Sequence, residues 1–459
     1  MKRIVYRSLA AISLLAALGV ALASTRPHYG GTLRIELQAP TPEDAGRDEF
    51  ASVAPWVFDG LVRLDANGRV ESALATSWEQ DQSGSHWTFK LRMGVKWHDG
   101  SDLTNDQVAA ALEGCVPGAR VAAAGDAVEL ILEPPSNTLP MRLATSPACL
   151  VRRPSTAGSA EAPIGTGPFR VTDWHSGRHA VLDANDDYWD GRPYLDHLDV
   201  QLNRSSRDAL LDLELNRGDV VALDPANARR AQQENRTVWA SAPNELLAIQ
   251  FSAAQASPDE RGLRQALSLS LDRGAIQKVL LQNFGESTAS LFPSWVSGYA
   301  FLFPTQAGLA QARKLVNDPS RVAKWTLGYD ARDTLAHVVA ERVALNAREA
   351  GLEVQVVALT SPSHAGDAVN ARLVRCRIEG PTLERAAREA SEQLGFPAPR
   401  DAQAEAIYED ERAFLDSGVV IPIAYVPELF GLSSRVRNWA PQRWGALDVS
   451  DVWVAPTEP

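Results

Sequence analysis

The sequence predicts a mixed α/β protein divided into lobes, and three observations carry that prediction. Its 459 residues exceed what one hydrophobic core ordinarily organises, so the chain should divide into two or three. Apolar residues make up 45% of it and charged residues 22%, the balance of a folded globular chain rather than a disordered one. Stretches with a two-residue alternation of apolar and polar side chains are interleaved with stretches of helical spacing along most of the length.

Thr88 to Leu112 shows both patterns at close range. Phe89, Leu91 and Met93 alternate with Lys90 and Arg92, the period of a half-buried strand. Gly94 interrupts the run, Val95 to His98 resume it, and Asp99-Gly100 is a turn pair. Thr104 stands three residues before Gln107, the spacing of a capping box, and a helix is expected through Leu112. Before this stretch, Gly30 to Leu37 reads as the first strand. After it, Val128 to Leu132 reads as a strand closed by Pro134-Pro135.

Further on, Asp208 to Gly218 reads as a short helix with Gly218 as its cap, and Asn244 to Phe251 as a buried strand and candidate crossover between lobes. Leu263, Ala266, Leu267, Ser270, Leu271, Val279 and Leu280 set a helix over Asp259 to Leu281. Leu335 to Ala350 is amphipathic and ends at Gly351, and Leu352 to Val356 alternates as a strand. Ala371 to Ile378 reads as a strand, Leu383 to Leu394 as a helix closed by Gly395, and Val419 to Val426 as a buried strand.

The first 23 residues have the three parts of a secretory signal peptide. Lys2, Arg3 and Arg7 precede an uncharged apolar run from Leu9, and Ala21-Leu22-Ala23 supplies a small-residue cleavage site. The whole chain carries a net charge of −12, and removing those three cations leaves the body more acidic still. That balance argues against nucleic acid and anionic membrane surfaces as partners. No later segment approaches the roughly 18 apolar residues of a bilayer span, and a free periplasmic protein is the simplest expectation. In that compartment Cys115 and Cys149, 34 residues apart, are candidates for a disulfide that would restrain the unfolded chain by about 3–4 kcal/mol. Cys376 would be left over, and three buried thiols are the alternative.

A search for chemistry finds no nucleophile elbow, zinc-protease helix, phosphate loop or dinucleotide fingerprint, so no catalytic residues, metal ligands or cofactor are assigned. His98-Asp99 belongs to the turn just described. His175 and His179 flank Ser176-Gly177, which reads as a hairpin rather than a metal-binding helix.

Several phrases together carry a family resemblance. FKLRMGVKWHDGSDLTNDQV, beginning at Phe89, resembles the signature of the family 5 extracellular solute-binding proteins, the peptide and nickel receptors of ABC importers. It departs where the usual form has Pro for Met93 and Phe for Trp97. GGTLRI at Gly30, the segments Val57 to Leu64 and Ala73 to Glu79, IGTGPFRV at Ile164, NDDYWDGRP at Asn185 and LRQALSLSLDRGAI at Leu263 are similar to further family phrases. The resemblance covers about 30–357 and, less tightly, 401–459. Between them the family's Asp-Pro-Asp-like phrase, which reads a peptide's amino terminus, is absent.

The resemblance implies a periplasmic-binding-protein type of α/β fold, two lobes with a hinge and an additional subdomain in the N-terminal part. Residues 29–250 would form lobe 1 with a subdomain at about 50–165, 251–425 lobe 2, and 426–459 the return to lobe 1. The glycines of IGTGPF would mark a crossing between lobes. A small-molecule or peptide ligand would bind between the lobes of a monomer and be handed to an ABC permease of the inner membrane. A degenerate module of the same fold, used for sensing or protein interaction, is the alternative. Twelve tryptophans suit an aromatic-lined cleft. Loops carrying Trp56, Trp295, Tyr299 and Trp444 would reach that cleft, and Arg372 and Arg375 would offer guanidinium groups to a ligand carboxylate.

Overall fold

The structure, a computed structural model, describes residues 26–38, 50–153, 162–252, 257–316, 324–360, 369–378, 380–397, 403–440 and 447–456. The expected signal segment 1–23 and Trp444 lie outside them. The fold is α/β with two lobes, each built on its own sheet, and a smaller sheet added to the first.

The first lobe holds a seven-stranded sheet in the order Thr237–Ala240, Leu429–Leu432, Val220–Ala222, Thr32–Leu37, His197–Leu202, His179–Ala184, Phe169–His175. Thr32–Leu37 lies at its centre and pairs in parallel on both sides, with His197–Leu202 and Val220–Ala222. The alternation TLRIEL sends Leu33, Ile35 and Leu37 into the core, leaving Arg34 and Glu36 on the opposite face.

The added sheet has four antiparallel strands, in the order Ala75–Gln80, His86–Leu91, Ala127–Leu132, Ala119–Ala124. Helix Asn105–Leu112 closes its core with Val108 and Leu112. The capping box at its start is complete: Gln107 N–H donates to Thr104 Oγ1 at 3.3 Å, and Thr104 N–H to Gln107 Oε1 at 3.0 Å. The strand before it ends at Leu91, two residues short of Met93, which is 89% exposed because Gly94 turns the chain with φ +75°. Val95 and Trp97 are buried, but only a single bridge, Lys96 to Asp102, follows the turn. A disulfide joins Cys115 to Cys149, whose Cα atoms are 5.0 Å apart, and Cys376 is a buried free thiol.

The second lobe holds six strands in the order Glu286–Ser287, Val420–Val426, Glu245–Phe251, Ala371–Arg377, Lys324–Asp330, Glu353–Leu359. Every residue of Val420–Val426 is buried, as its unbroken apolar run demands. Pro422 brings no N–H to the ladder, and the pairing register shifts beside it, between Leu247 and Ala248. Glu245–Phe251, placed at the end of lobe 1 by the sequence boundary at 250, pairs entirely within this sheet. The chain therefore changes lobe at 241–244, ahead of that strand.

Helix Pro258–Ser270 stops earlier than its apolar pattern suggests. Asp272 accepts a hydrogen bond from Ala275 N–H and restarts the chain as a short turn followed by Ile276–Leu280. Ser206–Glu214 likewise ends before Gly218, with Leu215 as its cap, and Gly218 serves a close approach described below.

Candidate functional site

Two crossings join the lobes, and they run side by side. One leaves Thr237–Ala240 for Glu245–Phe251, and the other leaves Val420–Val426 for Leu429–Leu432. Each strand pairs antiparallel with its counterpart in both sheets. Between the sheets the pairing continues: Ser241 N–H donates to Glu428 O at 2.9 Å, and Glu428 N–H to Ser241 Oγ at 2.9 Å. A two-strand hinge of this kind lets the lobes turn against each other while each keeps its own core.

Charged groups cluster around the hinge. Arg377 Nη2 donates to Glu428 Oε1 at 2.6 Å, and Arg375 Nε donates to Glu245 Oε2 at 2.8 Å. Arg375 also reaches Asp333 Oδ2, 3.0 Å from its Nη1. These carboxylates hold the Arg375 guanidinium protonated more firmly than usual, raising its pKa against the cost of burial. Asp333 caps helix Thr334–Ala350, and Asp224 caps helix Pro225–Gln233 in the other lobe. These two helix starts meet across the lobes, with Thr334 Oγ1 donating to Asp224 Oδ2 at 3.5 Å.

The sequence candidates separate here. Trp56 is 1% exposed, packs in the core of the first lobe and donates its indole N–H to Leu447 O, so it does not face a cleft. Its partner lies 391 residues away, which no local pattern reveals. Arg375 stands at the hinge, but its guanidinium is taken by Glu245 and Asp333 rather than offered to a ligand. Trp295 is at the hinge too, donating from Nε1 to Pro243 O at 3.1 Å. Tyr299 is turned into the second lobe, its ring 5.2 Å from that of Tyr408. Arg372 shares a sheet face with Val374 and Cys376, and its buried Nε has no hydrogen-bond acceptor among the described residues.

Three of the sequence phrases meet at one buried carboxylate. Asp59 accepts from Thr166 Oγ1 at 2.8 Å, Trp189 Nε1 at 3.0 Å and Tyr188 OH at 3.1 Å. Burial pushes its carboxyl above the usual range, against the pull of those three donors. Close by, Gly165 N–H donates to His98 Nδ1 at 3.3 Å, which leaves Nε2 to carry the proton and donate to Gly167 O at 3.0 Å. Burial brings His98 down to about 4, so the ring is neutral. A Cβ on Gly165 would stand 1.9 Å from Val57 O. These glycines therefore serve a backbone contact that docks the small sheet onto the first lobe, not a crossing between lobes.

Glu411 is a second buried acid that the sequence reading passed over, although it stands four residues after Ile407 on an apolar helix face. It accepts from Ser290 Oγ at 2.7 Å and Leu291 N–H at 2.6 Å. Burial raises its pKa to about 7. Between the unfolded value near 4.5 and that folded value the native state holds the extra proton, so this group's contribution to stability falls as pH rises through the window. Glu411→Gln keeps an acceptor and removes the charge. It should gain on the order of 2 kcal/mol over the parent at pH 8 and little at pH 4. Urea unfolding of both proteins at the two pH values tests this, and an equal difference at both would refute it.

Among the described residues no group of three or more His, Cys, Asp or Glu is placed to hold a metal ion, and no helix is long and apolar enough to cross a membrane. His175 and His179 face each other across a hairpin.

Comparison with known proteins agrees with this architecture. The chain is 22% identical over 348 residues to the nickel-binding protein NikA of Staphylococcus aureus, a match spanning 71% of this chain and 70% of that one. It superposes on the periplasmic binding protein DppA of Helicobacter pylori, solved with the peptide STSA, with TM-score 0.79 and 16% identity, covering 95% of this chain and all of that one. A shorter match, 31% identical over 169 residues, falls on the transcriptional regulator SgrR of Escherichia coli, covering 35% of this chain and 30% of the regulator. Residues 69–374 match the family described as bacterial extracellular solute-binding proteins, family 5 Middle. Its members are receptors for transport rather than enzymes, and this chain belongs to that family.

Proposed function

We propose that the chain is the periplasmic receptor of an ABC importer, a monomer that captures an oligopeptide or similar small solute between its lobes and delivers it to an inner-membrane permease. The observation that carries this reading is the two-strand hinge tied at Ser241 and Glu428 between two separately cored lobes. A ligand that touches both lobes only when they close shifts the population toward the closed form, and a permease can read that form. The signal-like segment 1–23 supports export, and the acidic body supports the absence of nucleic acid from its partners. Of the aromatic candidates, Trp295 beside Pro243 is the one we assign to the ligand side.

The test is native mass spectrometry of protein taken from the periplasm without denaturation. A discrete added mass that disappears on unfolding supports the receptor and gives its solute class. An apo mass, together with no thermal shift across a peptide and metal panel, overturns it, since saturating ligand should stabilise by about 3–4 kcal/mol. That outcome would favour a second reading, a module of this fold used for sensing. Two observations point that way: Arg375 is consumed inside its own lobe, and the regulator SgrR shares sequence with this chain.

A further inference from the structure

A hollow of about 320 Å³ lies on the first lobe, on the sheet face opposite the apolar core. Strand Thr32–Leu37 contributes Arg34 and Glu36, and helix Ser206–Glu214 contributes Asp212. Asp199, Arg204 and Arg217 complete its charged lining.

The two acids at its base are unusual. Glu36 is 5% exposed and Asp212 7%, so both carboxylates have lost most of their water. Asp212 is well supplied, taking Arg204 Nη2 at 2.5 Å on one oxygen and Arg217 Nη2 at 2.8 Å on the other. Glu36 is not. Among the described residues its Oε2 meets no N–H donor, Arg204 Nε stands off at 3.9 Å, and its nearest polar partner is another acid, Asp212. Arg34 is turned onto Asp219, at 2.8 Å, and gives Glu36 nothing. The backbone makes room for this acid, since a Cβ on Gly218 would meet Glu36 Oε1 at 3.1 Å and Val221 Cγ1 at 2.6 Å. A buried carboxylate oxygen without a donor is costly, and glutamine would suit the fold better.

We propose that this hollow is a second binding site, for a small zwitterion such as a free amino acid. The ammonium group donates to Glu36 and Asp212, and the carboxylate is taken by the remaining N–H groups of Arg204 and Arg217, whose side chains are half exposed and keep only Nη2 on Asp212. Charge selects this class of ligand. With Glu36 ionised the lining carries three guanidinium groups and three carboxylates, so a zwitterion leaves it balanced, whereas a lone cation or anion does not. Burial and the neighbouring Asp212 raise Glu36 to about 7, with Asp208 adding in the same direction and Arg204 opposing. Near neutral pH the incoming ammonium therefore displaces a proton from Glu36. The site uses first-lobe residues alone and stands independently of any ligand between the lobes.

Calorimetric titration of the whole mature chain with L-alanine, in two buffers of different ionisation heat near pH 7, tests it. The expected result is binding with net proton release, while ethylammonium and acetate bind much more weakly. Glu36→Gln and Arg217→Gln should each weaken L-alanine binding by roughly tenfold or more, the worth of one charge-assisted hydrogen bond. Arg217 has a side chain 59% exposed, so its variant reads the site without disturbing a buried position. Absence of L-alanine binding, equal binding of ethylammonium, or unchanged affinity in either folded variant overturns the proposal.

Discussion

Asp59→Ala is expected to cost roughly 3–5 kcal/mol of stability, among the largest effects of any single substitution in this chain. Burial already disfavours the Asp59 charge, so deleting it relieves some strain. Three donors decide the sign. Thr166 Oγ1, Tyr188 OH and Trp189 Nε1 all lose their acceptor in a partly buried site, at about 1–3 kcal/mol for each group left unsatisfied. Asp59→Asn keeps one oxygen and loses the charge, so it should fall about midway. Urea unfolding gives the energies, and hydrogen exchange over 75–132 should show the four-stranded sheet loosening first, because the cluster docks that sheet onto the lobe. An Asp59→Ala protein as stable as its parent would mean that the three donors find other acceptors.

Arg273→Ala should be of comparable size. Arg273 is 2% exposed, yet it is held by carbonyl oxygens rather than a carboxylate. Nε and Nη2 donate to Pro422 O at 3.0 and 2.9 Å, and Nη1 donates to Ser268 O at 3.0 Å. Burial lowers its pKa to about 10, so the charge persists at neutral pH. The guanidinium ties helix Pro258–Ser270 to the strand where Pro422 disturbs the ladder. Alanine leaves two carbonyls bare and opens a void, together about 3–5 kcal/mol. Arg273→Met fills the void and removes the buried charge, and should recover about half of that loss. A thermal or urea series of the two variants separates packing from hydrogen bonding; equal losses would show that packing plays little part.

What could be read from the sequence is whatever neighbours in the chain decide. The capping box at Thr104 and Gln107, and the glycine caps at Gly351 and Gly395, with φ +89° and +74°, are local rules. So is the strand Ala371–Arg377, whose alternate residues Ala371 and Leu373 are buried on one face. The alternation through Met93 outruns the strand because Gly94 turns the chain before the pattern ends. The placement of Trp56 and Arg375 is not local: Leu447, Glu245 and Asp333 are 391, 130 and 42 residues away, and they settle where those side chains point. The acids at 59 and 411 left a weaker trace, each a charge set into an otherwise apolar run or stripe, while Glu36 sits in the ordinary polar phase of an alternating strand.

The place of Leu429–Leu432 in the first sheet has a consequence for how the protein is made. This strand lies between Thr237–Ala240 and Val220–Ala222, so the former has no sheet neighbour until the last thirty or so residues are available. Its continuation at Val420–Val426 likewise arrives late to flank Glu245–Phe251. A ribosome releases the chain from its amino end, and neither lobe can close its sheet during that release. Pairing across such sequence distances is slow. The nascent chain thus stays incompletely folded until synthesis is nearly finished, the condition in which a polypeptide can still be threaded through a narrow translocation channel.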